Sequence, residues 1–435
     1  MEYAYWQKDA ECANPKKLEE LQLERLKKLI NHVAKIPFYN KIFSENKISA
    51  EKIKAISDLQ HLPFTTKEDL RRNYPFGLFA VPLKEVVRIH ASSGTTGKPT
   101  IVGYTRADIE NWANLVARFL TAGGLSSEDV VQVSFGYGLF TGGFGLHYGI
   151  EKIGATMIPV SSGLTQRQVN IMLDLGATAL VGTPSYALHI NDVARDMKID
   201  FSKLKLHLGF FGGEGFSQNM QNEIEKKWGI IATDNYCLSE VIGPGVSGKC
   251  LERNGLHIFE DHFIPEIIDP ETGEVLPEGE KGELVLTTLT KEATPVVRYR
   301  TRDITRLYRD ECPCGRTLIK MEKPSGRTDD MLIINGVNVF PSQIESVLMV
   351  VEETEPHYEI HLSKSEYLDV LEIWVEVSEK IFFDEMKKLR AVEEKIKNLM
   401  ANTLGLKPII KLVEPKTIQR SEGKAKRVID HRSKS

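Results

Sequence analysis

Residues 90–102 have the sequence HASSGTTGKPTIV, in which glycines, hydroxyl side chains and one lysine are crowded between two apolar runs. The run at 86–89 predicts a strand, and an amphipathic stretch begins after Thr105. A segment of this composition cannot form a core, so it predicts a loop that leaves a sheet. Glycines let backbone N–H groups turn toward one point, and the hydroxyls and Lys98 add donors there, as a polyphosphate requires. The predicted ligand is a nucleoside triphosphate.

This loop differs from the P-loop of the Walker nucleotide-binding proteins. That motif requires Gly at position 92 and Ser or Thr at position 99, where this chain has Ser92 and Pro99. The composition is also compatible with a solvated connector, so other segments must decide between a ligand site and a plain connection. The predicted phosphate-binding residues are Ser92, Ser93, Gly94, Thr95, Thr96, Gly97 and Lys98.

Length and composition exclude several classes of protein. With 435 residues, 41% of them hydrophobic, the chain is long enough for two or more domains. A formal net charge of −4 gives no general reason to bind nucleic acid or an anionic membrane, so any phosphate site has to be local. No apolar run approaches the roughly 20 residues of a membrane span, and the first residues lack a signal-peptide pattern. We therefore expect a cytoplasmic protein.

Apolar strand patterns alternate with helical patterns after the loop. The strand patterns lie at 130–135, 156–160, 177–181 and 206–211, each followed by a stretch of helical spacing. This alternation predicts an α/β domain with a largely parallel sheet. Ligands of such sheets bind beyond the carboxyl ends of the strands, so the segments that follow the strands are the candidates for a site.

Residues 136–148, GYGLFTGGFGLHY, alternate glycines with aromatic side chains at such a strand end. Backbone can approach a ring closely where side chains are missing, so the segment predicts a flat apolar pocket. A Gly-rich turn packed on aromatic rings is the alternative. A dinucleotide-binding Gly-x-Gly-x-x-Gly is not supported, because position 141 is Thr. The predicted pocket residues are Tyr137, Phe140 and Gly142, which favour an aromatic acid without a second carboxylate.

Three further segments at strand ends carry polar or bare-backbone features. Residues 212–215, GGEG, would let a planar base lie flat, and residues 235–240, NYCLSE, place a carboxylate beside a glycine turn, as Mg²⁺ bound to phosphates requires. Residues 298–303, RYRTRD, place one carboxylate among three arginines, which suits ribose hydroxyls near phosphates. Each segment alone is compatible with a surface turn. The predicted nucleotide contacts are Gly212, Gly213, Glu214, Asn235, Tyr236, Ser239 and Asp303, with Glu240 as the Mg²⁺ ligand.

Together these segments resemble the adenylate-forming acyl-CoA synthetase superfamily. Residues 92–100 resemble its phosphate loop, 236–240 its Tyr-x-x-Ser-Glu element, 326–330 its hinge and 423–427 the element that carries its catalytic lysine. The order and spacing match across nearly the whole chain. The short length, the helical stretch near the N-terminus and the glycine–aromatic segment resemble the phenylacetate–CoA ligase family in particular. One departure is Arg302, where many members of the superfamily have Gly.

The resemblance implies a reaction and assigns roles to residues. Family members join a carboxylate to ATP, release pyrophosphate, and pass the acyl group from AMP to coenzyme A, which is a co-substrate. By resemblance, Lys424 is catalytic, Arg327 contacts the nucleotide and Asp329 is the hinge. A solvated basic tail is the alternative for Lys424, since Lys and Arg are frequent near it.

The same resemblance and the strand patterns predict an α/β fold with two domains. Residues 1–328 form the large N-terminal domain, with mainly parallel sheets flanked by helices, which binds ATP and the acid. Residues 329–435 form a small mobile α+β C-terminal domain that carries Lys424, which we call the lid domain. The sequence leaves open whether the N-terminal helices cover the enzyme's own sheet or a second subunit, so a homodimer stays open.

Two other functional classes are compatible with the sequence. The chain could be an adenylating enzyme that uses another aryl acid or an acceptor other than coenzyme A. It could also be a nonenzymatic binding protein of the same fold, although Lys424, Glu240 and Asp303 argue against that.

The five cysteines predict a metal site rather than disulfides. An odd count in a reducing compartment argues against a disulfide framework. Cys312-Pro313-Cys314 is a tight thiolate pair, and Cys250 with His257 could complete a tetrahedral site for structural zinc. Free thiols are the alternative.

Overall fold

The computed structural model describes most of the chain. The two ends of the predicted phosphate loop are described, whereas Ser93 to Lys98 and the predicted catalytic Lys424 lie outside the described residues. The described residues are 3–92, 99–335, 337–365, 368–378, 386–423 and 425–432.

Helices precede the sheet. Helix α2 begins because the Asn14 side chain accepts a hydrogen bond from the Lys16 N–H at 3.0 Å and Pro15 occupies the first helical position. Its buried face includes Leu18, Leu26 and Val33, which share one side of a helix. The helices are α1 Lys8–Glu11, α2 Pro15–Val33, α3 Pro37–Glu45 and α4 Lys67–Arg72, with 3-10 turns at Ala50–Lys52, Ile56–His61 and Leu83–Glu85.

A short antiparallel hairpin and a parallel sheet follow. Strands β1 and β2, which precede and follow residues 93–98 in the sequence, pair with each other. Five strands then pair in parallel in the order β7-β6-β5-β3-β4. Most of them are short, nearly continuous apolar runs, which is typical of parallel strands that helices cover. The elements are β1 Arg88–Ala91, β2 Ile101–Tyr104, α5 Arg106–Ala122, β3 Val130–Val133, α6 Thr141–Ile153, β4 Thr156–Ile158, α7 Thr165–Asp174, β5 Ala179–Gly182, α8 Pro184–Asp196, a 3-10 turn Phe201–Lys203, β6 Leu208–Phe211, α9 Gln218–Trp228 and β7 Ile231–Leu238.

The same sheet continues beyond β7 with antiparallel strands and has 12 strands in the described part of the chain. From β7 outward the order is β8, β9, β13, β12, β11 and β10, and β14 pairs with β12. These strands are β8 Gly243–Gly248, β9 Leu256–Ile258, β10 Phe263–Ile268, β11 Lys281–Thr288, β12 Tyr299–Tyr308, β13 Lys320–Met321 and β14 Gly326–Arg327. The α/β prediction is confirmed, and the sheet is mixed: its parallel part is the part that the sequence pattern predicted.

The C-terminal elements form a separate domain with its own sheet. Strands β15 and β16 form an antiparallel pair, and a four-stranded sheet has the order β19-β18-β17-β20. Its buried apolar cluster contains only residues from Leu332 onward, whereas the clusters of the large domain end at Met321. The elements are β15 Leu332–Ile334, β16 Val337–Val339, α10 Pro341–Leu348, β17 Thr354–Ser365, β18 Leu368–Val377, α11 Met386–Leu404, β19 Ile409–Val413 and β20 Val428–Asp430.

None of the helices in the described part of the chain combines the length and the apolar character that crossing a bilayer takes.

Candidate active site

The segment after β6 presents bare backbone at the carboxyl end of the parallel sheet. A Cβ at Gly212 would lie 2.9 Å from the Asn235 carbonyl oxygen, so the close approach of β6 and β7 requires glycine there. Gly213 has a φ of +83°, a conformation that other residues rarely adopt. The Asn235 side-chain N–H donates to the Phe211 carbonyl at 3.1 Å and fixes the two strand ends relative to each other. The predicted base-binding segment is therefore rigid.

Glu214 connects this segment to the lid domain. Its carboxylate accepts a hydrogen bond from the Ser185 backbone N–H at 2.7 Å and from the Ala425 backbone N–H at 2.9 Å. The Gly423 carbonyl accepts hydrogen bonds from the Thr183 hydroxyl at 3.1 Å and the Ser185 hydroxyl at 3.3 Å. The residues on both sides of position 424 are thus bound at the carboxyl ends of β5 and β6.

Glu240 lies beside the base of the predicted phosphate loop. Its side chain is only 5% exposed, and its carboxylate accepts a hydrogen bond from the Thr100 hydroxyl at 3.2 Å. The Thr100 hydroxyl is also hydrogen-bonded to the Ser92 hydroxyl. The Lys67 ammonium lies 3.6 Å from the same carboxylate. A buried carboxylate with hydroxyls and one cation around it is suited to hold Mg²⁺ when phosphate oxygens complete the shell.

Asp303 is buried opposite Tyr236. The Tyr236 hydroxyl donates a hydrogen bond to one oxygen of the carboxylate, and the Arg327 guanidinium lies 3.5 Å from the other. Burial raises the pKa of Asp303 to about 6, against the opposing charge of Arg327. The pairing of β12 with β14 places Asp303 and Arg327 in register, so the two segments predicted to bind the nucleotide are neighbours.

Asp329, the predicted hinge residue, is held by the same arginine. The Arg327 guanidinium donates to its carboxylate at 2.8 Å and 3.1 Å. Burial alone would raise the pKa of Asp329, but the hydrogen bonds from Arg327 hold it below its usual value. Arg327 therefore connects Asp303 on the large domain with the segment at which the chain enters the lid domain.

The departure at Arg302 has a structural cost. Its φ is +70°, in the left-handed region that glycine adopts without strain. The guanidinium lies 3.5 Å from the buried Glu283 carboxylate, which fixes the side chain on the far side of β12 from Asp303. The substitution leaves the Asp303 carboxylate oriented toward Tyr236.

The predicted aromatic pocket lies next to the base-binding segment. A Cβ at Gly142 would lie 2.9 Å from the Phe140 ring, so the absence of a side chain lets this ring pack directly on the backbone at the start of α6. Phe135 lies between the two segments, because its ring would be 3.2 Å from a Cβ at Gly142 and 3.4 Å from one at Gly213. Tyr137 packs edge-to-face on Phe144, at 5.2 Å between ring centroids. The residues predicted for the acid pocket and those predicted for the base therefore both contact the Phe135 ring.

Ser239 completes the contact between these two regions. Its hydroxyl lies 2.9 Å from the Thr141 hydroxyl at the first residue of α6. The element at 235–240 is thus hydrogen-bonded through Ser239 to the first residue of α6. Through Glu240 it is hydrogen-bonded to Thr100, at the end of the predicted phosphate loop.

The four predicted metal ligands meet in one buried cluster. The ligand atoms of Cys250, His257, Cys312 and Cys314 all lie within 4.8 Å of one another, and all four residues are buried. The Cys250 and Cys312 sulfurs are 3.7 Å apart, and the Cys314 sulfur is 3.6 Å from His257 Nε2. Ligands of a tetrahedral zinc ion with bonds of about 2.3 Å would be separated by about 3.8 Å, so the four residues fit this ion.

The N-terminal segment covers this cluster. The Tyr5 hydroxyl donates to the Cys314 carbonyl at 2.5 Å, and the Arg316 guanidinium donates to the Glu11 carboxylate at 2.8 Å. Both partners of that ion pair are almost fully buried. The loop that carries two of the cysteines is therefore fastened to residues at the start of the chain.

Four residues at the site were not predicted from the sequence. Thr183 and Ser185 follow β5 in the same way that Gly212 follows β6, so hydroxyls at a strand end were the available signal. Phe135 ends the strand pattern at 130–135 and was assigned only to the core. For Lys67, a first-turn helix position indicated solvent exposure, and only the packing of α4 near β12 reveals its proximity to Glu240.

Family comparisons match both domains. A family model described as AMP-binding enzyme matches residues 20–289, and one described as AMP-binding enzyme C-terminal domain matches residues 336–432. A phenylacetate-coenzyme A ligase of Escherichia coli is 47% identical over 426 residues, which cover 97% of each chain. A phenylacetate-coenzyme A ligase of Thermus thermophilus is 45% identical over 442 residues, 98% of this chain and 99% of that protein.

Solved structures of 2-hydroxyisobutyryl-CoA ligase show how the two domains are arranged. In the postadenylation state, in complex with R3-HIB-AMP, that enzyme is 28% identical with a TM-score of 0.93, covering 99% of this chain and 93% of that chain. In the thioesterification state, with 2-HIB-AMP and CoA, it is 29% identical with a TM-score of 0.72, covering 98% and 92%. Since the protein is the same, the difference indicates that the domains here are arranged as in the postadenylation complex.

Proposed function

The chain belongs to the AMP-binding, adenylate-forming enzymes and within them to the phenylacetate–coenzyme A ligases, and on this premise we propose that its acid is phenylacetate or a close aryl acid. It is an AMP-forming acid–coenzyme A ligase. One observation carries the assignment of the site: the backbone on both sides of position 424 is hydrogen-bonded to Thr183, Ser185 and Glu214, beside the predicted base-binding segment.

The reaction has two steps with different needs. A carboxylate oxygen first attacks the α-phosphorus of ATP, forming acyl-AMP and releasing pyrophosphate. The thiol of coenzyme A then attacks the acyl carbon, loses its proton and displaces AMP. A free carboxylate resists thiol attack because oxide would have to leave, whereas acyl-AMP supplies a stable phosphate monoester as the leaving group.

In the first step two anions meet, so cationic stabilisation is the main requirement. We assign this role to Lys424, whose ammonium would neutralise charge that develops between the carboxylate and the α-phosphate. The hydrogen bonds at Gly423 and Ala425 support this assignment, because they hold the loop on both sides of the lysine at the strand ends. The ammonium would be withdrawn when the lid domain turns for the second step.

The residues that we assign to the nucleotide lie near the same strand ends. We assign the base to Gly212, Gly213 and Glu214, and the ribose hydroxyls to Asp303, with Arg327 close to the phosphates. Asn235, Tyr236 and Ser239 would hold these segments in place. The loop from Ser92 to Lys98 would bind the β- and γ-phosphates, supported by the position of Ser92 and Thr100 beside Glu240.

We propose that Glu240 binds Mg²⁺ together with phosphate oxygens of ATP. The carboxylate is buried and next to the loop base, which supports the assignment. The ion would supply positive charge to the triphosphate. Lys67, on the other side of Glu240, would add a second charge there and keep the carboxylate oriented.

The aryl ring would lie in the pocket formed by Tyr137, Phe140 and Gly142. Phe135 supports this, because it separates the pocket from the base-binding segment by one ring. An acid bound there would have its carboxylate directed to the strand ends, where the α-phosphate is expected. A flat ring with a short methylene link fits such a pocket.

We propose that the lid domain begins at 329 and turns about Asp329. The change from one hydrophobic core to the other falls between Met321 and Leu332, which supports a boundary after residue 328. The hydrogen bonds from Arg327 to Asp329 supply a point about which the next residues could rotate.

We propose structural zinc at Cys250, His257, Cys312 and Cys314. The separations of 3.6–3.7 Å support the site, and bound zinc would tie the loop before the hinge to β9. Hydrogen bonds from the Cys250 thiol and His257 lower the pKa of Cys314 and favour the thiolate that zinc binds. The absence of disulfides among the described cysteines agrees with a cytoplasmic location. A homodimer stays a prediction, and the molar mass measured by light scattering would test it.

Pyrophosphate release over a panel of aromatic acids tests the proposed substrate. Phenylacetate is expected to give the highest kcat/KM, with benzoate-like, indolic and hydroxylated acids below it. A clear preference for one of those acids would contradict phenylacetate but leave adenylation intact. Product analysis with and without coenzyme A tests the acceptor, since acyl-AMP that accumulates in both cases would favour an acceptor other than coenzyme A.

A further inference from the structure

We propose that Asp192 on α8 and His357 on β17 form a latch that holds the lid domain in the arrangement for adenylation. The proposal rests on the proposed two-step reaction. It concerns residues outside the predicted binding site, so both are positioning residues rather than catalytic ones. The latch is defined by the contact between these two side chains.

Helix α8 contacts the lid domain at several places along its length. At its start, Thr183 and Ser185 bind the Gly423 carbonyl next to the predicted catalytic lysine. In its C-terminal half, the Asp192 carboxylate lies 3.1 Å from His357 Nε2. A helix of 13 residues is a rigid connection between these places. A change at the latch is therefore passed to the lysine loop without a change in the site itself.

The latch is partly shielded from water. The side chain of His357 is 8% exposed and that of Asp192 is 26% exposed. The Lys227 ammonium, on α9, lies 3.5 Å from the Asp192 carboxylate and 3.7 Å from Glu355 of the lid domain. Charge-assisted hydrogen bonds that are shielded in this way contribute more than exposed ion pairs.

A second pair one turn along α8 provides an internal comparison. Asp196 is four residues after Asp192 and its carboxylate lies 2.7 Å from the Lys416 ammonium of the lid domain. Both side chains are more than half exposed, at 57% and 62%. Exposed pairs of this kind contribute little, so we assign the holding role to Asp192 and only a minor one to Asp196.

The effect on the reaction follows from the domain arrangement. The whole chain superposes on the postadenylation complex with a TM-score of 0.93 and on the thioesterification complex of the same relative with only 0.72, so its overall structure is closer to the first. A contact between α8 and β17 stabilises the first arrangement relative to one in which it is absent. Loss of the latch should therefore slow adenylation and spare thioester formation.

The test uses the full chain with Asp192→Ala and measures the two half-reactions separately. Alanine is the best helix former, so α8 should be retained. ATP–pyrophosphate exchange with phenylacetate is expected to fall about tenfold, the effect of one lost hydrogen bond to a charged partner. Thioester formation from supplied phenylacetyl-AMP and coenzyme A should be unchanged or faster. Asp174→Ala, at an exposed position at the end of α7, is the matched control and should change neither rate.

Two further variants make the interpretation specific. His357→Ala should give the same split as Asp192→Ala, and the double variant should be no slower in exchange than the slower single one, because each substitution alone already removes the Asp192–His357 contact. Asp196→Ala should lower exchange less than twofold. Equal loss of both half-reactions in Asp192→Ala, or additive loss in the double variant, would overturn the latch. If the unaltered enzyme catalysed ATP–pyrophosphate exchange with none of the aromatic acids tested, the proposed function would fail instead.

Discussion

The parallel and antiparallel halves of the large sheet carry two sites of opposite construction. At the parallel half, most of the predicted substrate site is assembled at the strand ends from loops and from the lid domain, with Glu214 and Glu240 in contact with groups that other segments supply, while the predicted ribose ligand Asp303 lies on β12. At the antiparallel half, the cluster around Cys314 is buried, with its four side chains already within ligand distance of one another.

This difference reflects what each site has to do. Substrates must enter and leave, which agrees with contacts that come from separate segments and with the proposal that the lid domain withdraws the lysine loop. The proposed structural metal would have to stay, and its four candidate ligands come from the sheet and from a loop that the N-terminal segment covers. Changes at the first site should therefore affect rates, whereas changes at the second should affect stability.

The largest expected effect is that of Lys424→Ala on adenylation. Removing the cation at the developing charge should lower ATP–pyrophosphate exchange at least about 10²- to 10³-fold, whereas thioester formation from supplied acyl-AMP should be largely retained. Lys426→Ala, an exposed lysine two residues away, is the control. Equal loss of both half-reactions in Lys424→Ala would refute the two-arrangement account.

The contrasting site is tested with Cys314→Ser. We expect about one zinc per purified chain, measured by elemental analysis, and its loss in the variant together with a Tm lower by roughly 5 °C or more, because bound zinc stabilises only the folded state. Cys12→Ser, outside the four-residue cluster, should keep the metal. Purified wild-type protein with only a small fraction of one zinc per chain would contradict this site.

Asp303→Asn should raise the KM for ATP about tenfold by weakening hydrogen bonds to the ribose. Because the pKa of Asp303 is about 6, protonation should also raise the wild-type KM as the pH falls below 6, and the variant should lack this dependence. The sign for stability is opposite to that of an ordinary paired Asp: ionisation lowers the free energy of unfolding as the pH rises from 3.8 to about 6. Asp330→Asn, at an exposed position next to the predicted hinge residue, is the control. An equal increase in the KM for ATP in this variant would contradict the assignment of the ribose to Asp303.

The smallest expected effect is that of Gly142→Ala in the aryl pocket. Its Cβ would lie 2.9 Å from the Phe140 ring, which is 38% exposed and can shift, so the KM for the aryl acid should rise only about 3- to 10-fold. The KM for ATP should change little. Gly215→Ala, where an added Cβ meets nothing within 4 Å, is the matched control. An increase in the KM for ATP alone would instead indicate that Gly142 lies at the nucleotide.

The sequence predicted the parallel half of the sheet better than the antiparallel half. Strands such as β5 and β6 are short, fully buried apolar runs between helices, and this pattern is local. Strand β8 has the sequence GPGVSG, which carries no such pattern, and its position depends on pairing with β7 and β9. Tertiary packing, rather than local preference, decides that half.

The site was predictable where its chemistry is local. The glycines at 212–213 and the carboxylate at 240 follow strand patterns, and the structure brings both to one edge. The hydrogen bond from Thr183 to Gly423 spans 240 residues of sequence, and the proximity of Lys67 to Glu240 depends on how α4 packs. Neither has a sequence signal, because each depends on the meeting of two distant segments.

The separation of the two hydrophobic cores determines what movement of the lid domain costs. Among the described residues, no cluster of buried apolar side chains includes residues of both domains. Rotation would therefore exchange hydrogen bonds and ion pairs for contacts with water without opening either core. A protein whose lid domain turns as proposed would change shape at every turnover without exposing the buried apolar side chains of either core, whose exposure would promote aggregation.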